Sequence, residues 1–255
     1  MGIGKVSSLA VASLSKVSRL AKLSIGKING FTASFADSFA DSYSLSFDGV
    51  DDYVTTGTGG GSNTQDFTIS WWMRASETGA NGQVFSFGDS GGFPIMGFGL
   101  NQAGGAKPLL TYGSSRNVRW VDNSAQDDDA WHHWLLFMDA SDPNGSSLYI
   151  DGSVITVEAV NDFYTTATFE NLEIGRDAWA YAEMYMGDFA VFTGDKTGNV
   201  SDHYNSGTPT DLSGEDDLHL YYKFEENTGT TVADSSSNSN DGTLVNTPTW
   251  SSSTP

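Results

Sequence analysis

An all-β fold is predicted for residues 43–255, and three observations predict it. Glycine is frequent, at 29 of 255 residues, and Ser, Thr, Asn and Asp are abundant, while long runs of Ala, Leu, Glu and Lys are missing. That balance favours many short strands joined by tight turns. The segment 67–74 alternates strictly, with Phe67, Ile69, Trp71 and Met73 on one side and Thr68, Ser70, Trp72 and Arg74 on the other. A period of two is the strand period. Further apolar stretches follow at short intervals, most of them separated by Gly, Asn or Asp, which is the spacing of a sandwich or barrel.

The first 42 residues read differently. Residues 3–35 repeat with a period of 11, as IGKVSSLAVAS (3–13), LSKVSRLAKLS (14–24) and IGKINGFTASF (25–35). An 11-residue apolar repeat fits a helix with a right-handed supercoil. Gly4, Gly26 and the Asn29-Gly30 pair favour turns instead, so mixed or extended pieces are preferred. One copy cannot bury its apolar side alone, so the arm implies a partner. FADSFADSY (35–43) reads as a spacer, which puts the boundary near Ser42.

In the body, Leu45 and Phe47 alternate with Ser44 and Ser46, Asp48-Gly49 is turn chemistry, and Tyr53-Val54 resumes a strand. Residues 57–63 read as a flexible loop. Strands are expected at 67–74, 84–87, 94–100, 109–112, 116–121, 131–138, 147–150, 154–157, 171–174 and 184–192, with a short helix within 195–204. The unbroken apolar run Trp134–Met138 predicts a strand buried on both faces. Near the end come an aromatic strand from Leu220, a Gly turn, a short Thr/Val strand and an Asp/Ser/Asn loop from Asp234 to Asp241.

Charge sets limits on partners. The net charge is −20, which argues against nucleic acid or an anionic membrane as partner of the body. Residues 1–36 nevertheless hold five basic residues and no acid, whereas 43–255 hold seven basic residues and 30 acids, so arm and body have different jobs. No stretch is apolar for long enough to span a membrane. Ser, Lys and Arg interrupt the N-terminal apolar residues too often for a signal peptide. With no cysteine, disulfides, thiolate metal sites and a Cys nucleophile are excluded.

Eight motifs stand in one order: FDGVDDYV (47–54), DFTISWWMR (66–74), WHHWLLFMDAS (131–141), LYIDG (148–152), LEIGRD (172–177), MGDFAVF (186–192), HYNSG (203–207) and LYYKFEENTGTTVADSSSNSNDGTL (220–244). Together they resemble the concanavalin A-like, laminin G-type jelly rolls over residues 45–245. The resemblance implies two antiparallel sheets of six or seven strands, one of them concave.

Catalysis finds no support in the residues. Some relatives are glycoside hydrolases resembling laminarinases, with Glu-x-Asp-x-x-Glu on one strand face. Here Glu215-Asp-Asp217 alone has the first spacing, and the second Glu is missing. No Gly-x-Ser-x-Gly occurs in a strand-to-helix setting. His132 and His133 belong to the Trp-His-His strand, where packing and hydrogen bonding are the expected role; His203 and His219 read as isolated. The chain is therefore expected not to be an enzyme.

Calcium suits an oxygen-rich, acidic chain. Resemblance to calcium-binding pentraxins points to the loops after the Trp strand and after Ile-Gly, which contain Asn81 and Asp177, although Arg176 and Ala178 flank the latter. Asp234 and Asp241 are a second candidate, with Asx-turn chemistry as the alternative. For sugars, which stack on exposed rings, Trp72, Trp120, Trp179 and Tyr181 are the aromatics expected to be accessible, while Trp71, Trp131 and Trp134 are assigned to the core.

The division into basic arm and acidic body resembles virion proteins of tailed bacteriophages. It implies a structural protein, a capsid decoration, tail or fibre component, anchored through residues 1–42 to other virion proteins or to copies of itself. A homo-oligomer with the jelly roll exposed for adhesion to cell-surface glycans is expected. The alternative is a secreted, extracellular carbohydrate-binding lectin or an accessory domain of a polysaccharide-active enzyme.

Overall fold

The computed structural model describes residues 41–56, 61–62, 66–76, 82–88, 94–101, 107–112, 116–121, 128–139, 142, 145–161, 168–169, 171–176 and 180–255. The 11-residue repeats lie outside the described residues. The strands are β1 (Ser44–Asp48), β2 (Tyr53–Thr56), β3 (Gly61–Ser62), β4 (Phe67–Ser76), β5 (Gln83–Gly88), β6 (Pro94–Asn101), β7 (Lys107–Tyr112), β8 (Arg116–Val121) and β9 (Asp128–Met138). They continue as β10 (Ser147–Ile150), β11 (Ser153–Asn161), β12 (Thr168–Phe169), β13 (Asn171–Ile174), β14 (Glu183–Thr193), β15 (Leu218–Tyr222), β16 (Thr231–Val232), β17 (Gly242–Val245) and β18 (Thr249–Ser251).

All pairings are antiparallel and form a sandwich of two sheets. The first sheet runs β18-β1-β14-β4-β9-β10-β11, with β15 also paired to β14. The second runs β16-β17-β2-β13-β5-β6-β7-β8-β11. β11 belongs to both: Ser153–Ile155 face β10, and Thr156–Asn161 face β8. The sheets are wider than the six or seven strands expected, because short C-terminal strands add to both. β18 pairs with β1, while β16 and β17 extend β2. Gly61–Ser62, expected to be loop, pairs with Thr168–Phe169.

The inner faces meet in one aromatic core. Trp71 of β4 stacks on Trp134 of β9 at 5.8 Å, and the edges of Phe85 and Phe98 approach it at 5.3 and 5.1 Å. Phe67, Ile69, Trp71 and Met73 all enter this core, as their alternation requires. Trp71→Ala would cost about 3–5 kcal/mol through lost burial and the cavity left behind.

The other face of the first sheet is also closed, over its central strands, by the chain between β14 and β15. There a 3-10 turn (Thr197–Asn199) runs into the helix α1 (Val200–Tyr204). Asn205, at φ 43°, ends it in the left-handed conformation that Asn tolerates. His203 is buried and pairs with Glu215 Oε2 at 3.1 Å, so it anchors this cover rather than standing isolated. Phe192, Ala190, Leu212 and Tyr221 make a second apolar cluster beneath it. This cover explains the run from Trp134 to Met138, which is buried on both faces as its sequence predicts.

It also corrects the expectation for Trp72, which is only 4% exposed. Its ring lies 5.2 Å from His133 and 6.2 Å from Tyr204 of α1, a residue far away in sequence. Trp131, assigned to the core, is instead half-buried on this outer face, opposite Arg74, with its ring 6.4 Å from Tyr185. Among the described residues no helix is long and apolar enough to cross a membrane.

Candidate functional site

The outer face of the second sheet carries polar residues in register. In β2 the inward residues are Val54 and Thr56, so Tyr53 and Thr55 point outward. Thr55 stands opposite Thr243 on one side and Glu173 on the other. Thr243 in turn faces Thr231, and Glu173 faces Ser86. A row Thr231–Thr243–Thr55–Glu173–Ser86 therefore crosses five strands. Thr231 and Thr243 are exposed, Thr55 and Glu173 are half-buried, and Ser86 is covered because its hydroxyl donates to Arg176 O at 2.9 Å.

That bond marks where the β13–β14 loop folds over the sheet and walls off the row. The loop is set by Gly175, whose φ of +98° and contact with the Phe47 ring leave no space for a Cβ. Gly175 N donates to Val84 O, and Ala182 N donates to Gly175 O, both at 2.8 Å. The Arg176 guanidinium lies 3.7 Å from the centre of the Tyr53 ring and 6.0 Å from that of Tyr181. Its Nε and Nη2 donate to the two Glu173 oxygens at 2.9 and 2.7 Å. This bidentate pair raises the Arg176 pKa further above its ordinary value. Arg176 Nη1 also donates to the Tyr181 hydroxyl at 3.4 Å. Tyr53, Arg176 and Tyr181 thus form a half-exposed ledge with its charge already neutralised by Glu173.

Beside the ledge, Asp48, Asp51 and Asp52 bring one carboxylate oxygen each within 4.8 Å of the others. Protein donors already use much of this set. Asp48 Oδ1 accepts from Val50 N at 2.8 Å and Asp51 N at 3.3 Å, and Asp52 Oδ1 and Oδ2 accept from Thr247 N at 2.9 Å and Asp48 N at 3.3 Å. Burial raises the Asp52 carboxyl above its ordinary range despite these bonds, and its acidic neighbours add to the rise.

Of the residues singled out from sequence, Tyr181 belongs to this ledge. Gly82, at the end of the loop after β4, lies so close to Tyr181 and Ala182 that an added Cβ would overlap their backbone. The two loops expected to share a site therefore meet, although Asn81, Asp177 and Trp179 lie outside the described residues. Trp120 occupies β8 opposite Val157, and its side chain is outside the described residues. Tyr53, Thr55, Glu173 and Arg176 were missed. The signal for them was the pairing of Tyr53-Val54-Thr55 with Leu172-Glu173-Ile174, two alternating segments whose partnership is invisible in one sequence.

Asp234 and Asp241 lie elsewhere and work as loop staples. Asp234 Oδ1 accepts from Tyr221 N and Ser236 N, both at 2.9 Å, and Oδ2 accepts from Ser236 Oγ and Asn240 N, both at 2.8 Å. A carboxylate has about four lone-pair sites, and all are used, which matches Asx-turn chemistry rather than metal ligation. Asp241 Oδ1 accepts from Asp234 N at 2.9 Å.

The histidine strand offers no accessible nucleophile. His133 Nε2 lies 2.9 Å from Ser70 Oγ, but His133 and Ser70 are 1% and 2% exposed. The nearby Asp151 holds the ring of the neighbouring residue instead, at 2.7 Å from His132 Nδ1. Glu215, the start of the incomplete carboxylate motif, is engaged with His203.

A family model described as the concanavalin A-like lectin/glucanases superfamily, of laminin G type, matches residues 48–199. Two crystal structures share the fold. One is of a candidate carbohydrate binding protein from Bacteroides ovatus ATCC 8483, at 18% identity and a TM-score of 0.58, over 84% of this chain. This chain spans 60% of that protein's length. The other is of a native heptameric SAP-like pentraxin from Limulus polyphemus, at 16% identity and a TM-score of 0.53, covering 67% of this chain and 86% of that one. No curated protein sequence matches the chain.

Proposed function

The chain belongs to the concanavalin A-like lectin/glucanases superfamily, and from that premise we propose that it is a non-enzymatic, carbohydrate-binding module. It takes neutral glycans on the outer face of its second sheet. The observation that carries this reading is the row of Thr231, Thr243 and Thr55 ending against the Tyr53–Arg176–Tyr181 ledge. Sugar rings offer apolar C–H faces for aromatic contact and hydroxyls for paired hydrogen bonds. The ledge supplies the first and the threonine row the second.

Two features favour a neutral ligand and no turnover. A net charge of −20 repels sulfated and sialylated chains. The one basic side chain of the ledge is already paired with Glu173. Two-carboxylate glycosidases need one carboxylate free as nucleophile or base and one acid with a raised pKa. Glu173, held on both oxygens by Arg176, serves as neither.

The basic arm serves attachment, to copies of itself or to other virion proteins, with the acidic body turned to the glycan. The charge division between residues 1–36 and 43–255 supports this part. The match to residues 48–199, which leaves the arm out, equally favours a free lectin module. Deleting residues 1–42 separates the two: incorporation into a particle is lost in the first case, and function is unchanged in the second.

The test of binding is a glycan array carrying neutral, sialylated and sulfated oligosaccharides, probed with the full chain. Signal on neutral glycans is expected. Signal confined to anionic glycans, or none, overturns the proposal. Release of reducing ends from a bound glycan overturns its non-enzymatic part.

A further inference from the structure

A different part of the molecule holds charge in a way that the glycan site does not use. Asp41 is the first described residue after the N-terminal 40. Its two carboxylate oxygens are buried, and among the described residues no donor reaches either. The two residues that follow are pinned: Ser42 N and Tyr43 N donate to Glu225 Oε1 at 2.8 and 3.0 Å. Asp188 is 3% exposed and sits on β14 where the pairing with β4 skips a residue, between Gly187 and Phe189. Such a bulge re-aims one side chain. Asp188 Oδ1 accepts from the Tyr221 hydroxyl at 2.8 Å, and Oδ2 has no donor among the described residues.

The charged and titratable groups that act on Asp41 and Asp188 are Asp211 from the loop before β15, Tyr221 from β15, and Lys223 and Glu225 just after it. Lys223 Nζ is 2.9 Å from Asp211. Counting Asp41 and Asp188, four carboxyls share the neighbourhood with one ammonium. Buried carboxylates without donors are costly, and a proton is the cheapest way to neutralise one. Three carboxylates at ligand spacing occur, among the described residues, at Asp48, Asp51 and Asp52 and not here.

We propose that Asp41 is a proton-controlled latch: protonated, it stays seated beside Asp188 and holds residues 41–43 on the sandwich, and ionised, it leaves. The segment that joins residues 1–40 to β1 is then released. No covalent step is involved; one proton passes to solvent. The electrostatics agree with the geometry. Asp41 is pushed up to about 7, mainly by burial, with Glu225 raising it further and Lys223 lowering it. Asp188 is raised well above its ordinary value, first by burial and then by Asp41. The switch therefore lies near neutral pH.

Hydrogen–deuterium exchange on the full chain tests it. The readout is the protection of the Ser42 and Tyr43 amides, corrected for intrinsic exchange. Protection is expected to be constant below about pH 3.8, to fall by up to tenfold per pH unit from there to about 7, the slope for one proton, and to level off above. Asp41→Asn should stay protected throughout. Should that variant not fold, Glu225→Gln removes the neighbouring charge that raises Asp41, while its amide oxygen can still accept from Ser42 N and Tyr43 N. It should move the transition of Asp41 downward in pH, by about one unit. Protection that is flat with pH in the unmodified chain, or that falls equally in Asp41→Asn, overturns the latch. So does restoration of protection at alkaline pH by millimolar calcium chloride, which would make a cation the neutralising group.

Discussion

The glycan ledge and the seat of Asp41 handle charge in opposite ways. At the ledge, the Arg176 guanidinium is matched by Glu173 on both oxygens and covered by the Tyr53 ring. At the seat, three carboxylate oxygens of Asp41 and Asp188 have no donor among the described residues. The ledge is half-exposed and needs no proton to be stable, whereas the seat is buried and does. The contrast separates recognition from control: the first should be insensitive to pH near neutrality, and the second should respond to it.

The largest effect is expected at Gly175. Its φ is +98°, and a Cβ would meet the Phe47 ring at 2.6 Å. Gly175→Ala should cost about 3 kcal/mol or more, from left-handed strain and overpacking together. Thermal unfolding checks this, and the variant should lose glycan binding too, because the loop carrying Arg176 and Tyr181 hangs on that turn.

Next is Asp41→Asn. The folded pKa of about 7 lies above the unfolded 3.8, so the native state keeps the proton longer than the unfolded chain. The stability tied to this group is complete below 3.8 and is lost as pH rises through about 7. Asp41→Asn should match the unmodified chain at low pH and exceed it by up to about 4 kcal/mol in alkaline solution. Denaturant titrations at both pH values decide it; an equal difference at both removes Asp41 as the source. Glycan affinity should not change.

His133 gives a slope of opposite sign. Burial, and then the charge of His203, push it down to about 3, below its ordinary 6.5. The unfolded chain therefore takes up the proton first, and stability falls as pH drops from 6.5 towards 3. In His133→Gln, whose side chain can still meet Ser70, this acid limb should be missing, as measured by melting temperature against pH.

Tyr221→Phe removes the hydroxyl that donates to Asp188 Oδ1 and should cost about 1–2 kcal/mol. The smallest effect is at Thr243→Ala, an exposed strand position. Stability should change by less than about 0.5 kcal/mol, while glycan affinity falls several-fold.

Much of the fold was legible because it is local. The alternation of 67–74 placed Trp71 inward and Ser70 outward, and the unbroken 134–138 run announced a strand covered twice. The last strands were not legible: β17 and β18 each place few residues in the core, and they exist because β2 and β1 offer edges to pair with. Trp72 failed for the same reason, since Tyr204 covers it from far along the chain. Tyr181 was legible from its place after Ile174-Gly175, but its partners Tyr53 and Arg176 come together through pairing of β2 with β13. Asp41 sits in a repeat that reads as a spacer, and its burial depends on Asp188 and Glu225, each more than 100 residues away in the sequence.

The central claim is that the outer face of the second sheet binds a neutral glycan. The most direct measurement is a calorimetric titration of the neutral oligosaccharide with the strongest array signal into the unmodified chain and into Tyr53→Ala and Tyr181→Ala. Melting curves confirm that all three are folded. At least a tenfold loss of affinity is expected for each variant, about 1.4 kcal/mol or more. Unchanged affinity in both folded variants would contradict the claim.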